Sequence, residues 1–196
     1  MKKLLVATGN THKTEEIQTI LGSEYEVTDL RSQPHLPKVE ETGTTFLENA
    51  TLKAVEISRS VAGLVISDDS GLEVDALDGA PGVYSARYAG EEGNDALNNE
   101  KLLKELRNTD LSDRGARFRC VIVIAKNGES LAHFDGYVEG HIISELHGDG
   151  GFGYDPLFVP KGHQSSFAEL GEEIKNTLSH RAQAMEKVQA WLSSSH

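Results

Sequence analysis

The chain has 196 residues, a length that suits one large domain or two tightly joined lobes around a substantial core. Its 19 basic against 31 acidic residues give a formal charge of -12, which disfavours sequence-independent binding of nucleic acid or of an anionic membrane. The single cysteine, Cys120 in RFRCVIVIA, rules out an intrachain disulfide and a cysteine-based zinc cluster, and its setting reads as a packed core thiol.

The opening MKKLLVATGN has too short an apolar run for a signal peptide or a membrane span, so a soluble, cytoplasmic protein is expected. Residues Lys3 to Ala7 predict a first strand, TGNTHK a loop, and Ile17, Ile20 and Leu21 the apolar face of a helix that Gly22 stops. YEVTDL alternates like a second strand, and RSQPHLPKVEETG is a long polar connection. Thr45 and Glu48 form a capping-box pattern that opens a helix through about Ala62, with Phe46, Ala50, Ala54 and Ile57 facing inward. Leu64-Val65-Ile66 predicts an interior strand, with Asp68 and Asp69 emerging at its C-terminal end, where α/β sheets present functional groups. A hairpin around LDGAPG follows, then a helix in DALNNEKLLKELR that turns Leu102, Leu103 and Leu106 to one side. ARFRCVIVIA and SLAHFDGYVEGHII flank KNGE, an Asn-Gly hairpin signal. GDGGFGYDPLF is a glycine-rich loop, and the chain closes with an amphipathic helix through Ala182, Met185, Val188 and Leu192. The expected fold class is therefore α/β, with a mixed central β-sheet and flanking helices, in a single domain with two lobes around a cleft.

Several segments carry groups capable of chemistry. TGNTHK combines backbone amides at a helix start with Thr8, Asn10 and the Lys13 cation, which suits phosphate oxygens and equally an ordinary β-to-α turn. It lacks the glycine spacing of a Walker loop. Asp68 and Asp69 beside Ser-Gly suit a turn, and Glu40 and Glu41 a solvated pair; the two segments can also converge on a hard cation such as magnesium. In GGFGYDP the rings of Phe152 and Tyr154 can stack on a base while Asp155 accepts from ring N–H groups, or the segment is a structural turn with buried aromatics. IKNTLSHRAQA places Ser179, His180 and Arg181 at a helix start with Lys175 four residues before Ser179; Lys175 and Arg181 donate but do not accept, so they suit an oxo group on a purine better than an amino group. The histidines show no HxxxH or HxH pairing and there is no G-x-S-x-G elbow, so a zinc hydrolase and a serine hydrolase are disfavoured.

Taken in order, TGNTHK, EETGTTFLENATLKA, ISDDSGLEVDALDGAPGVYSARYAG, GGFGYDPLF and SHRAQA strongly resemble the inosine triphosphatase or Ham1 family of non-standard purine nucleoside triphosphate pyrophosphatases. The match covers essentially the whole chain. It implies an inosine-triphosphatase-like fold whose cleft binds a nucleotide, and cleavage of inosine, deoxyinosine and xanthosine triphosphates to monophosphate and pyrophosphate with magnesium, in a homodimer. Residue by residue, it implies that Thr8, Gly9, Asn10, Thr11, His12, Lys13 and Lys53 handle the triphosphate. It also implies that Asp69 binds magnesium and acts as general base for the attacking water, with Glu41 as the second metal carboxylate and Glu40 as the alternative one position away. Ser70 touches substrate, and Phe152, Gly153, Tyr154, Asp155, Lys175, His180 and Arg181 hold the base. Asp68 supports the loop or a second ion. The early Ser-x-Ser-Pro-Arg-Arg segment of the related Maf-type pyrophosphatases is missing from MKKLLVATGNTHK.

Overall fold

A computed structural model describes residues 2–194. The chain divides into two compact units, one built from residues 1–69, 120–136 and 181–196, the other from residues 70–119 and 137–180. The sheet order is β2-β1-β3-β4-β5-β6, with β1 (Lys2–Val6), β2 (Tyr25–Asp29), β3 (Val65–Val74), β4 (Gly115–Lys126), β5 (Glu129–Ile142) and β6 (Phe158–Pro160). Parallel pairs at one side and an antiparallel β5–β6 pair at the other make it a mixed sheet in an α/β fold.

In the first unit β1 runs parallel to both neighbours, from Lys2↔Tyr25 to Val6↔Asp29 on one side and through Leu5↔Val65 and Val6↔Ile66 on the other. Two helices make the crossovers, α1 (Thr11–Leu21) from β1 to β2 and α2 (Phe46–Ser58) from β2 to β3. The chain thus leaves β1 to one side and returns on the other, so the carboxyl end of β1, beside β3, is a topological switch point, where open α/β sheets hold ligands. Asn10 caps α1 by accepting from the Lys13 amide, and Gly22, at φ 67, ends it. The capping box of Thr45 and Glu48 opens α2 as the sequence predicts. This helix stops at Ser58 rather than near Ala62, because the Ser58 hydroxyl turns back to the Val55 carbonyl and also accepts from the Gly128 amide. The core joins Leu4, Val6, Ile17 and Ile66 to Ile122, Ile124, Met185, Val188 and Leu192, the last three from α5 (His180–Ser194). Cys120 is buried in this core, as its setting suggests.

In the second unit α3 (Asp95–Leu106) and α4 (Phe167–Leu178) pack Leu102, Leu106 and Phe167 onto Leu72, Val74, Phe118 and Phe158. Phe118 meets Phe158 edge-on at 4.7 Å between ring centroids. Asn127 and Gly128, at φ 54 and 83, make the tight turn that the Asn-Gly signal predicts between β4 and β5.

Besides the earlier end of α2, the structure differs from the sequence reading at two further places. β3 does not end before Asp68 but continues through both aspartates to Val74, because β4 still neighbours it after β1 has ended and because the Asp68 charge is neutralised from neighbouring elements. The hairpin expected around LDGAPG shrinks to a single bridge, Glu73↔Pro81, closed by a tight turn in which the Gly79 amide donates to Val74. Among the described residues no helix is long and apolar enough to cross a membrane.

Candidate active site

Two groups of side chains, one in each unit, carry the candidate chemistry. The group of the first unit lies where β1 has ended and β3 runs on. The loop after β1 is tied into α1: the Thr8 hydroxyl accepts from the Asn10 amide at 3.1 Å, and Asn10 caps the helix. Gly9 and His12 are exposed, the latter 4.0 Å from Glu15, and the Thr11 hydroxyl accepts from Arg31. One turn into α1, the Lys13 ammonium reaches Asp68 Oδ1 at 2.6 Å.

Successive strand residues point to opposite faces, so the two aspartates of β3 enter different surroundings. Asp68 receives Lys13 on one oxygen and the Arg181 Nε on the other at 2.7 Å, and Cys120 Sγ donates to it at 3.1 Å. Arg181 also pairs with Glu16 on α1. Burial alone would raise the Asp68 pKa, but Arg181 and Lys13 outweigh it and hold the carboxyl well below the usual range. Burial, reinforced by the Asp68 charge, pushes the Cys120 thiol up, so it stays a protonated core group.

Asp69 meets a different set. Lys53 Nζ, on α2, lies 2.8 Å from Asp69 Oδ1, 2.7 Å from Glu41 Oε1 and 3.1 Å from the Asp68 carbonyl oxygen. Asp69 Oδ2 is buried with no hydrogen-bond partner. Burial, together with the charge of nearby Glu41, pushes the Asp69 carboxyl up against the pull of Lys53 and Lys13. Burial would lower Lys53, yet the carboxylates of Asp69 and Glu41 hold its ammonium above the ordinary value. The asymmetry has a plain cause: Lys53 faces two carboxylates, while Asp69 has one ammonium in contact and a like charge nearby.

Helix α2 fixes this arrangement. The buried Asn49 side chain accepts from the Gly43 amide at 2.8 Å, and Glu48 accepts from the Thr44 amide at 2.7 Å, so the segment carrying Glu41 is moored to the first turn of the helix that carries Lys53. A Cβ on Gly43 would stand 2.6 Å from Glu48 Cβ, so only glycine allows that approach. Glu41 is the member of the acidic pair that this mooring brings to Lys53; Glu40 is exposed.

In the second unit the glycine-rich loop is held from α3 and α4. Asp95 accepts from the Gly153 amide at 2.6 Å and Asn99 donates to the Gly153 carbonyl at 2.8 Å, so one turn of α3 grips both faces of that residue. Asp155 accepts from the Phe152 amide at 2.9 Å and from Lys175 at 2.6 Å. The Lys175 ammonium also sits 4.3 Å from the Phe152 ring centroid, a cation–π contact. His180 stacks on Phe118 at 5.0 Å. Ser70 opens this unit directly after Asp69.

Three of the expected base-binding residues have protein contacts of their own. Tyr154 is buried and donates to the Ser85 carbonyl at 2.8 Å, so it braces the loop, whereas Phe152 is only part-buried. Asp155 is engaged by Lys175 and its own loop rather than offered to ring N–H groups. Arg181, expected at the base, is only 1% exposed and commits its guanidinium to Asp68 and Glu16 in the first unit. Sequence reasoning passed over Glu16, Asn49, Asp95 and Asn99. Of these only Asn99 and Asp95 had a readable signal, their spacing of four on one helix face.

Among the described residues no three His, Cys, Asp or Glu side chains gather as a metal cage. Magnesium does not need one: it prefers one or two carboxylates completed by substrate phosphates, and the buried, unpartnered Asp69 Oδ2 beside Glu41 fits that requirement.

Residues 4–191 match the model of the Ham1 family. The chain is 50% identical to a dITP/XTP pyrophosphatase of Oceanobacillus iheyensis over 194 residues, covering 98% of each, and 46% identical to the dITP/XTP pyrophosphatase of Bacillus subtilis, covering 96% of each. Among solved structures, the Ham1 protein of Staphylococcus aureus superposes with a TM-score of 0.87 at 42% identity, over 100% of both chains. A nucleoside-triphosphatase and dITP/XTP pyrophosphatase of Mycobacterium abscessus does so with a TM-score of 0.76 at 40% identity, over 95% of this chain and 98% of that one.

Proposed function

The chain belongs to the Ham1 family, and from that premise we propose that it hydrolyses non-standard purine nucleoside triphosphates, dITP, ITP and XTP, to the monophosphate and pyrophosphate. The observation that carries the reading is the contrast on β3: Asp68 is saturated by cations, and Asp69 keeps one buried oxygen without a partner beside a second carboxylate.

Asp69 and Glu41 are the residues that would hold magnesium, whose chemistry is to neutralise phosphate charge and lower the pKa of bound water. Asp69 is the general base: its buried carboxyl, raised in pKa, is suited to take a proton from the attacking water. Thr8 to Lys13 and Lys53 receive the triphosphate, since backbone amides at the start of α1 and an ammonium match charge that grows on the leaving pyrophosphate. Ser70 contacts the substrate next to Asp69. Phe152 stacks on the base, and Lys175 donates to the oxo group at position 6, where adenine would present a second donor. Gly153, Tyr154, Asp155 and His180 shape that pocket. Arg181 serves here as the residue that positions Asp68. A cytoplasmic homodimer is proposed on the family likeness, and light scattering measures the oligomeric state.

The test is pyrophosphate release from dITP, ITP, XTP, GTP, ATP and TTP, with magnesium and with a chelator. Fast release confined to the inosine and xanthosine nucleotides and abolished by the chelator is expected. Tight binding without release from any of them would overturn the enzyme reading in favour of a nucleotide sensor.

A further inference from the structure

We infer that the Lys53 ammonium is a resident stand-in for the divalent cation, so that cation and nucleotide enter together and neither carboxylate is open to a free ion. The inference deepens the reading above and rests on it. Lys53 Nζ lies 2.7 Å from Glu41 Oε1 and 2.8 Å from Asp69 Oδ1, on the two carboxylates that would hold magnesium. An ammonium in contact with both leaves no room for a cation to bind both at those oxygens. Asp69 Oδ2 has no partner, but it belongs to a residue only 6% exposed.

Charge makes the coupling. Lys53 is in contact with both carboxylates, and a dication entering alone at those oxygens would expel its ammonium. That side chain is only 11% exposed, so its displaced ammonium would remain near the dication with the Asp68 carbonyl as its one contact among those it now makes. Two like charges in a dry setting repel, and a buried ammonium without acceptors is costly. A triphosphate removes both penalties by supplying oxygens to the ion and to the lysine at once. Because Asn49 and Glu48 moor the Glu41 segment to the helix that carries Lys53, the exchange requires only rotation of the lysine chain about its torsions, with no movement of the loop.

The experiment measures manganese(II) binding by the loss of its free-ion electron paramagnetic resonance signal, in wild type, Lys53→Met and Lys53→Gln without nucleotide. Thermal melts confirm that the variants are folded, and the glutamine variant stands in if the methionine one is not. Either folded variant is expected to bind manganese roughly tenfold or more tightly than wild type, as removal of a competing site-bound charge requires, and Asp69→Asn in the same background is expected to reverse the gain. Folded variants that bind no more tightly than wild type would overturn the stand-in. Wild type with a non-hydrolysable inosine triphosphate analogue separates this failure from that of the parent reading. Manganese retained there and lost on Asp69→Asn would keep the metal assignment while the stand-in falls; no retention there would sink both.

Discussion

Adjacent residues of one strand face opposite electrostatic worlds. On one face of β3, Asp68 is held by Arg181, Lys13 and Cys120 and its pKa is driven well down. On the other, Asp69 shares Lys53 with Glu41, keeps an unpartnered oxygen, and its pKa is driven up. Both are buried, at 1% and 6% exposure, so burial does not separate them; the count of cations in contact does. A saturated carboxylate has nothing left to offer a ligand and serves the fold. An undersaturated one stores a deficit that a cation and a water can relieve, which is how one sequence motif supplies both a support and a base.

The sharpest way to break this contrast is to neutralise each aspartate in turn. Asp69→Asn is expected to lower kcat by about 10²–10⁴-fold, the range lost with a general base; unchanged turnover in a pyrophosphate-release assay would reject Asp69 as the base. Asp68→Asn should instead strike stability, by about 3–5 kcal/mol, because it strands Arg181 and Lys13 without their shared anion. At about 2–4 °C per kcal/mol for a chain of this size, differential scanning calorimetry would see it easily. Lys175→Met should narrow the preference for ITP over ATP by roughly tenfold, as loss of one buried donor at the oxo group implies; equal losses for both nucleotides would reduce Lys175 to a partner of Asp155.

The smallest effect is in pH. Asp69, raised when folded, contributes stability that is present below its unfolded pKa and lost as pH rises through the folded value, so its ionised form is a net cost at neutral pH. Asp68, lowered when folded, contributes stability present above its unfolded pKa and lost as pH falls through the folded value. Melting temperatures of the two asparagine variants relative to wild type should therefore differ in sign near neutrality, and both differences should shrink on acidification. Parallel curves would show that the two carboxylates are equivalent after all.

What the sequence made legible is mostly local. The Thr45–Glu48 capping box, the Gly22 stop and the Asn127-Gly128 turn are each decided within a few residues, and the structure has all three. A second capping box, Ser166 with Glu169, opens α4 and was equally readable, though passed over. The run of β3 through its aspartates was not legible, because the charge that permits it comes from Arg181, 113 residues along the chain. Nor could pattern separate Phe152 from Tyr154, since the carbonyl that claims the tyrosine hydroxyl belongs to Ser85, 69 residues away. Glu41 and Glu40 are alike in sequence and are told apart only by the mooring of Gly43 to Asn49. Within the site, residue chemistry gave open alternatives and the family likeness chose among them.

The division of the chain has a consequence for its synthesis. The first unit is closed by residues 181–196, and its core includes Met185, Val188 and Leu192. On a ribosome, β1, α1 and β2 therefore emerge early but wait for the last helix before their apolar face is covered, while the second unit has all its segments by residue 180. Arg181, at the head of that final segment, brings Asp68 its guanidinium only then, so the support beneath the candidate site is among the last contacts a nascent chain can make.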